Sequence, residues 1–168
     1  ASKGNVIGGN STDRAIMQFL AAAGLAKHIQ RDQAAAYRYF NSQDKYAAVA
    51  LQDGETVYIK GAPEVVMDNC CHCLNSQGEV EALASLNKLQ LYVNEQASRS
   101  MRLLAVAKGK LQRNEQGELV MPEDMTLVGL LSIRDNLRQE AVTAIEEVQK
   151  AGIQVVMVTG DKRETAIA

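Results

Sequence analysis

Residues 46–64 read YAAVALQDGETVYIKGAPE. Two runs in this stretch, 46–51 and 56–60, are built of small, β-branched and aromatic residues, and Asp53-Gly54 between them supplies the positive-φ positions of a tight turn. The segment therefore predicts an antiparallel pair of strands. The second run ends in Lys60-Gly61-Ala62-Pro63-Glu64. That places a cation at a strand end, beside a glycine that lets a ligand approach the backbone, with Pro63 and Glu64 opening a helix. An anion such as a nucleotide phosphate would suit that place. The alternative is an ordinary strand-to-helix turn carrying a solvated lysine.

On the N-terminal side, Ser11-Thr12-Asp13 precede Ile16, Phe19, Leu20 and Ala23 at helical spacing, and Gly24 follows. Hydroxyl caps at the start and a glycine at the end predict a helix over 13–23. On the C-terminal side, Leu83, Leu86, Gln90 and Val93 predict a second helix, 101–108 a strand, and Asn114 to Gly117 a polar turn. The irregular alternation reads as α+β, an antiparallel sheet flanked by helices. After Pro122-Glu123-Asp124 the texture changes: 127–133 is nearly continuously apolar, 141–150 is helical, and 154–158 is apolar again. Strand, helix, strand of this kind implies a partial α/β unit with a parallel pair. The expected division is 1–124 and 125–168. Two parallel strands cannot cover their own faces, so the second unit is expected to be incomplete.

The 168 residues are 46% hydrophobic and 23% charged, with a formal net charge of −2. This is the balance of a folding globular chain rather than a disordered tail. No basic block is present to neutralise a phosphate backbone, so nucleic acid is not an expected partner. No run of about 18 apolar residues and no leader pattern occurs, so the chain is expected to be a soluble, cytosolic piece. Cys70, Cys71 and Cys73 surround His72. Structural zinc needs a second, distant pair of ligands, which the sequence lacks; the cluster reads instead as a helix end with partly buried, reduced thiols, and no metal site is assigned. A sharper feature is Val158-Thr159-Gly160-Asp161, an apolar run leading into a turn with a hydroxyl and a carboxylate. Ligands bind at such carboxyl ends of strands in open α/β sheets, although a plain helix-capping turn has the same composition.

Joined in order, these segments resemble the P-type cation-transporting ATPases over nearly the whole chain. Residues 9–15, Gly-Asn-Ser-Thr-Asp-Arg-Ala, resemble the motif that opens the family's nucleotide-binding domain, and Phe40-Asn41-Ser42-Gln43-Asp44-Lys45 its Phe-x-Ser-x-x-Lys stretch. Lys60 to Glu64 matches its Lys-Gly-Ala-Pro-Glu motif, and Met101-Arg102-Leu103-Leu104-Ala105 falls at an arginine-led strand. Asp135-Asn136-Leu137-Arg138 resembles its Asp-Pro-x-Arg hinge, and the run through Asp161 its strand ending in Thr-Gly-Asp. The family usually carries Glu at the position of Asp13 and prolines at those of Asn136 and Leu137.

The resemblance implies a nucleotide-binding domain over 1–124 and a piece of a haloacid-dehalogenase-like phosphorylation domain over 125–168. It implies that Phe40 stacks on adenine and Asp13 accepts from its amino group. Lys45, Lys60 and Gly61 would line the way to the phosphates, and Arg102 would steady the phosphate chain. Asp135 and Arg138 would come against the nucleotide, and Thr159 and Asp161 would surround the phosphorylation site. ATP and Mg²⁺ are the implied cofactors. The partners are the remaining actuator, phosphorylation and transmembrane parts of the same pump, and the location is the cytoplasmic side of an integral membrane protein, in the plasma membrane if bacterial. The motifs look most like the calcium-pump branch, its bacterial members in particular, with a pump for sodium and potassium or for magnesium as the alternative. The family's acceptor motif Asp-Lys-Thr-Gly-Thr and its Gly-Asp-Gly-x-Asn-Asp stretch do not occur in the 168 residues. This chain alone is therefore expected to bind nucleotide without forming a phosphoenzyme. Two other classes fit parts of the pattern: the cap and partial core of a soluble aspartate-nucleophile phosphatase, and a stand-alone nucleotide-binding or interaction module.

Overall fold

The computed structural model describes residues 10–29, 33–134, 139–156 and 158. In chain order the elements are α1 (Ser11–Ala22), β1 (Ala34–Arg38), β2 (Tyr46–Leu51), β3 (Thr56–Gly61), α2 (Pro63–Val66), β4 (Cys70–Leu74), β5 (Val80–Ala82), α3 (Leu86–Ser98), β6 (Met101–Lys110), β7 (Met125–Arg134) and α4 (Gln139–Lys150). Among the described residues the strands form one sheet in the order β1-β2-β3-β6-β7-β4-β5. Every pairing is antiparallel except β4 with β7. This is the antiparallel sheet with flanking helices expected from the sequence.

Alternation along the strands decides which side becomes the core. Tyr46, Ala48 and Ala50 of β2, Val57 and Ile59 of β3, and Leu103, Ala105 and Ala107 of β6 are buried on one face. Successive strand residues point to opposite faces, so these eight share a side. Helix α2, with the 3-10 turn Met67–Asn69 that follows it, and helix α3 cover that side, contributing Val66, Met67 and Val93. The helix starts are built locally. Pro63 opens α2, where its missing N–H costs nothing, and Ser85 caps α3 by accepting from Lys88 N at 3.3 Å. Helix α1 is capped by Asn10, which accepts from Asp13 N at 2.8 Å, and Gly24 follows it at φ +72°. None of the residues of α1 is buried.

Three local expectations differ from what the chain does. Cys70 to Leu74 is strand β4, not a helix end: α2 and its 3-10 turn stop at Asn69, Cys70 and Cys73 pair with β7, and Cys73 pairs also with β5. Cys70 is buried and donates to Val66 O at 3.2 Å, whereas Cys71 is exposed. The apolar run 127–133 lies in β7, between β6 and β4, so its first neighbour is antiparallel rather than parallel. A continuous apolar run marks a strand enclosed by neighbours and does not say which way they run. The sheet accordingly crosses residues 124–125 without a break. No strand is formed by the described residues 153–156. Strand β1 had no counterpart in the sequence reading, because Ala34 to Ala36 carries little apolar signal.

Where β2 starts beside the end of β3, Tyr46 pairs with Gly61. A Cβ at Gly61 would lie 2.7 Å from both Lys45 O and Tyr46 Cβ. Only glycine allows these two segments to close on each other. Gly61→Ala is expected to destabilise the chain by about 1–3 kcal/mol through overpacking. Denaturant unfolding checks this, and an unchanged midpoint would mean that the approach can relax freely. A second expectation concerns the thiols. Burial pushes Cys70 up to about 11, so at neutral pH a thiol reagent should modify exposed Cys71 first and Cys70 last. Mass-spectrometric labelling rates read the order, and equal rates would contradict the burial.

Candidate functional site

Lys60 and Arg102 alternate with the buried residues of β3 and β6, so both emerge on the sheet face away from α2 and α3. Helix α1 supplies partners there. Lys60 Nζ donates to Asp13 Oδ1, and Arg102 Nη1 donates to Thr12 Oγ1 at 3.3 Å. The ion pair joins residues 47 positions apart, and the hydrogen bond joins residues 90 apart. Ala47 and Val106 flank Lys60 on the neighbouring strands. The alanine leaves that side of the lysine open, because a methyl group cannot screen a long side chain.

Lys45 reaches the same neighbourhood from the connection between β1 and β2. Its carbonyl accepts from Ala62 N at 3.0 Å, and its Nζ lies 3.5 Å from Glu64 Oε1. Its φ of +59° is in the left-handed region, a conformation that costs a non-glycine residue free energy unless the surroundings impose it. Here the imposing bonds come from Asn41: its carbonyl takes Lys45 N at 2.9 Å, and its side-chain oxygen takes Gln43 N at 3.0 Å and Asp44 N at 2.7 Å. Phe40 stands at the start of this closed loop with 58% of its surface exposed. An aromatic ring held half out of water on an ordered loop is available for stacking.

The structure thus brings Asp13, Lys45, Lys60 and Gly61 together, ties Arg102 to the same end of α1, and carries Phe40 on the loop that holds Lys45. Asp135, Arg138, Thr159 and Asp161 lie outside the described residues. Chemically the cluster offers three cations, two carboxylates and a ring. A carboxylate accepts about four hydrogen bonds, so Asp13 keeps capacity beyond Lys60. The ion pairs are partly exposed, Lys60 with Asp13 at 35% and 44% and Lys45 with Glu64 at 53% and 56%. Pairs of this kind contribute only ~0–1 kcal/mol each, and a phosphate or an amine can compete for their members.

Sequence reasoning missed Arg38, Asp44 as a structural acceptor, and the pairing of Thr12 with Arg102. Arg38 Nη1 donates to Leu119 O at 2.8 Å and Nη2 donates to Asp44 Oδ2, with the guanidinium carbon 5.0 Å from the Tyr46 ring centroid. The alternating Tyr37-Arg38-Tyr39 is the one signal that could have marked a strand there, and the two tyrosine rings stack with centroids 6.3 Å apart. Among the described residues, no group of three or more His, Cys, Asp or Glu is placed to hold a metal ion, and no helix is long and apolar enough to cross a membrane.

Residues 2–140 match the family model described as P-type ATPase, cytoplasmic domain N. Calcium-transporting ATPase 7, plasma membrane-type, of Oryza sativa subsp. japonica is 34% identical over 137 residues, covering 77% of this chain and 13% of that protein. Calcium-transporting ATPase 8, plasma membrane-type, of Arabidopsis thaliana is 31% identical over 175 residues, covering 95% of this chain and 16% of that protein. Calcium-transporting ATPase 9, plasma membrane-type, of the same plant is 30% identical over 176 residues, again with 16% of its length covered. The chain spans less than a fifth of the length of these relatives. With its antiparallel sheet, its flanking helices and a family match over most of its length, the chain belongs to the P-type ATPases and corresponds to their cytoplasmic domain N.

Proposed function

We propose that this chain is the ATP-binding portion of a cation pump, and that the transported ion is calcium, as the names of its relatives say of them. What supports the reading most is the meeting of Asp13 with Lys60 across the sheet face, beside the loop that carries Phe40 and Lys45. In this reading the adenine lies on the Phe40 ring and its exocyclic amine donates to Asp13. The phosphates run past the backbone of Gly61 towards the ammonium groups of Lys45 and Lys60. Arg102 offers a planar fork to the phosphate oxygens. The nucleotide-binding unit extends through β7 to Arg134, and a piece of the phosphorylation domain follows. Asp135 and Arg138 then approach the nucleotide from the hinge, and Thr159 and Asp161 stand near the acceptor. The other domains of the same pump, set in the plasma membrane, are the partners. Membership of the family favours this over a soluble phosphatase.

The donor set suits a nucleotide rather than a bare magnesium ion. Mg²⁺ wants an octahedron of oxygens, while the cluster at Asp13, Lys45, Lys60 and Arg102 is richer in cations than in carboxylates. Mg²⁺ would arrive bound to the phosphates, where it neutralises charge during transfer. The residues of this chain bind and orient; they hold no acceptor. Transfer requires an acceptor in line with the leaving oxygen, and the family's Asp-Lys-Thr-Gly-Thr is not among these residues.

Titration with ATP, followed through amide NMR shifts, should perturb residues around Phe40, Lys45 and Lys60 at millimolar nucleotide; an unshifted spectrum would end this reading. Phe40→Ala should lose most of that binding, since base-on-aromatic contacts are worth about 1–3 kcal/mol. The chain incubated with Mg²⁺ and ATP should give no acid-stable, hydroxylamine-labile phosphoenzyme and no hydrolysis above buffer. Turnover abolished by Asp161→Asn would replace the pump fragment with a self-contained phosphohydrolase.

A further inference from the structure

Two residues before Phe40, the side chain of Arg38 spans three separate pieces of the molecule. One nitrogen donates to Asp44 inside the 40–45 loop. Another donates at 2.8 Å to the carbonyl of Leu119, which lies 81 positions away and is 3% exposed. The guanidinium plane sits over Tyr46, the first residue of β2. Leu119 in turn is fixed by its bridge to Arg113 and by the bond from Val120 N to Gln112 O at 3.2 Å. The far end of the contact is therefore set in the core cluster and not in a mobile tip.

The loop end is equally specific. Asp44 Oδ2 also accepts from Asn41 Nδ2 at 2.7 Å, and Asn41 closes the loop onto Gln43, Asp44 and Lys45. The amide of Asn41 and the guanidinium of Arg38 hold the Asp44 carboxyl below the usual range. This closure is one of the restraints on the left-handed backbone of Lys45, together with the bond from Ala62 N to its carbonyl. A lysine could not replace the arginine, because one ammonium cannot serve two acceptors in different directions while stacking on a ring.

We propose that Arg38 is a positioning residue of the nucleotide site, a clamp that holds the 40–45 loop so that the Phe40 ring and the Lys45 amine are presented in one orientation. The inference rests on the nucleotide-binding reading above. Arg38 does not touch the nucleotide; it acts through the loop. Pre-organisation of this kind strengthens binding by removing the ordering cost at the moment of contact.

The test is a double-mutant cycle on the 168-residue chain, with ATP dissociation constants from NMR titration and unfolding midpoints measured in parallel. Arg38→Gln should weaken ATP at least threefold while amide signals of Ile59 and Ala105 in the sheet stay in place. Arg38→Lys should restore less than half of the lost affinity. In the Phe40→Ala background, Arg38→Gln should cost almost nothing further, because a clamp has nothing left to position; a general loss of packing would add in full. Asp44→Ala removes the loop end of the contact from a partly exposed site, and decides the matter if Arg38→Gln fails to fold. Wild-type affinity in both Arg38→Gln and Asp44→Ala, or full additivity with Phe40→Ala, overturns the clamp alone. An unchanged affinity in Phe40→Ala overturns the nucleotide site and the clamp with it.

Discussion

The site depends on the absence of one carbon atom. Because Gly61 has no Cβ, the carbonyl of Lys45 and the side chain of Tyr46 can close against the end of β3, and Ala62 N can donate to that carbonyl. This contact fixes where the loop after β1 meets the strand that bears Lys60. A cation on a regular strand and a cation on an irregular loop are thereby held in one place, although neither element could fix the other alone. The register that follows, Tyr46 with Gly61 and Ala47 with Lys60, sets which residues are buried and which face α1. The core and the candidate site are the two sides of one sheet, and the same alternation builds both.

The energetics of the two sides differ. On the core side, Val57, Ile59, Ala105 and Met125 are fully buried, and each apolar side chain removed from water contributes on the order of 1.5–3 kcal/mol for the larger ones. On the other side, α1 buries no residue and is attached through Asp13 and Thr12. Partly exposed polar contacts are weak and exchangeable. In the proposed reading this property suits the uptake and release of a nucleotide, because the partners in the free state are replaceable without unfolding the layer beneath. Helix α4 is different again, with Val142, Ile145 and Val148 exposed along one face.

Much of this was legible in the sequence. The β2–β3 hairpin came from Asp53-Gly54 and strand-forming neighbours, α1 from its polar start and Gly24, and α3 from the spacing of Leu86, Gln90 and Val93. Of the residues that the family motifs picked out, Asp13, Lys60 and Arg102 meet on one side of the sheet and Phe40 and Lys45 stand on the adjoining loop, whereas Gly61 faces the core side. What could not be read was pairing across long distances. The apolar run in β7 shows burial but no direction, so its antiparallel neighbour β6 was hidden. The thiols at Cys70 and Cys73 are small apolar groups that suit a strand as well as a helix end. Arg38 was invisible for a further reason: its role depends on Leu119, 81 positions away, and a lone arginine after a tyrosine carries no local pattern.

The most direct test is the position of the bound base. Two aromatic platforms stand on this part of the molecule, Phe40 and the stacked, exposed pair of Tyr37 and Tyr39. Intermolecular nuclear Overhauser effects from the adenine protons of bound ATP distinguish them. Contacts to the Phe40 ring are expected. Contacts to Tyr37 and Tyr39 in their place, with Phe40 silent, would contradict it.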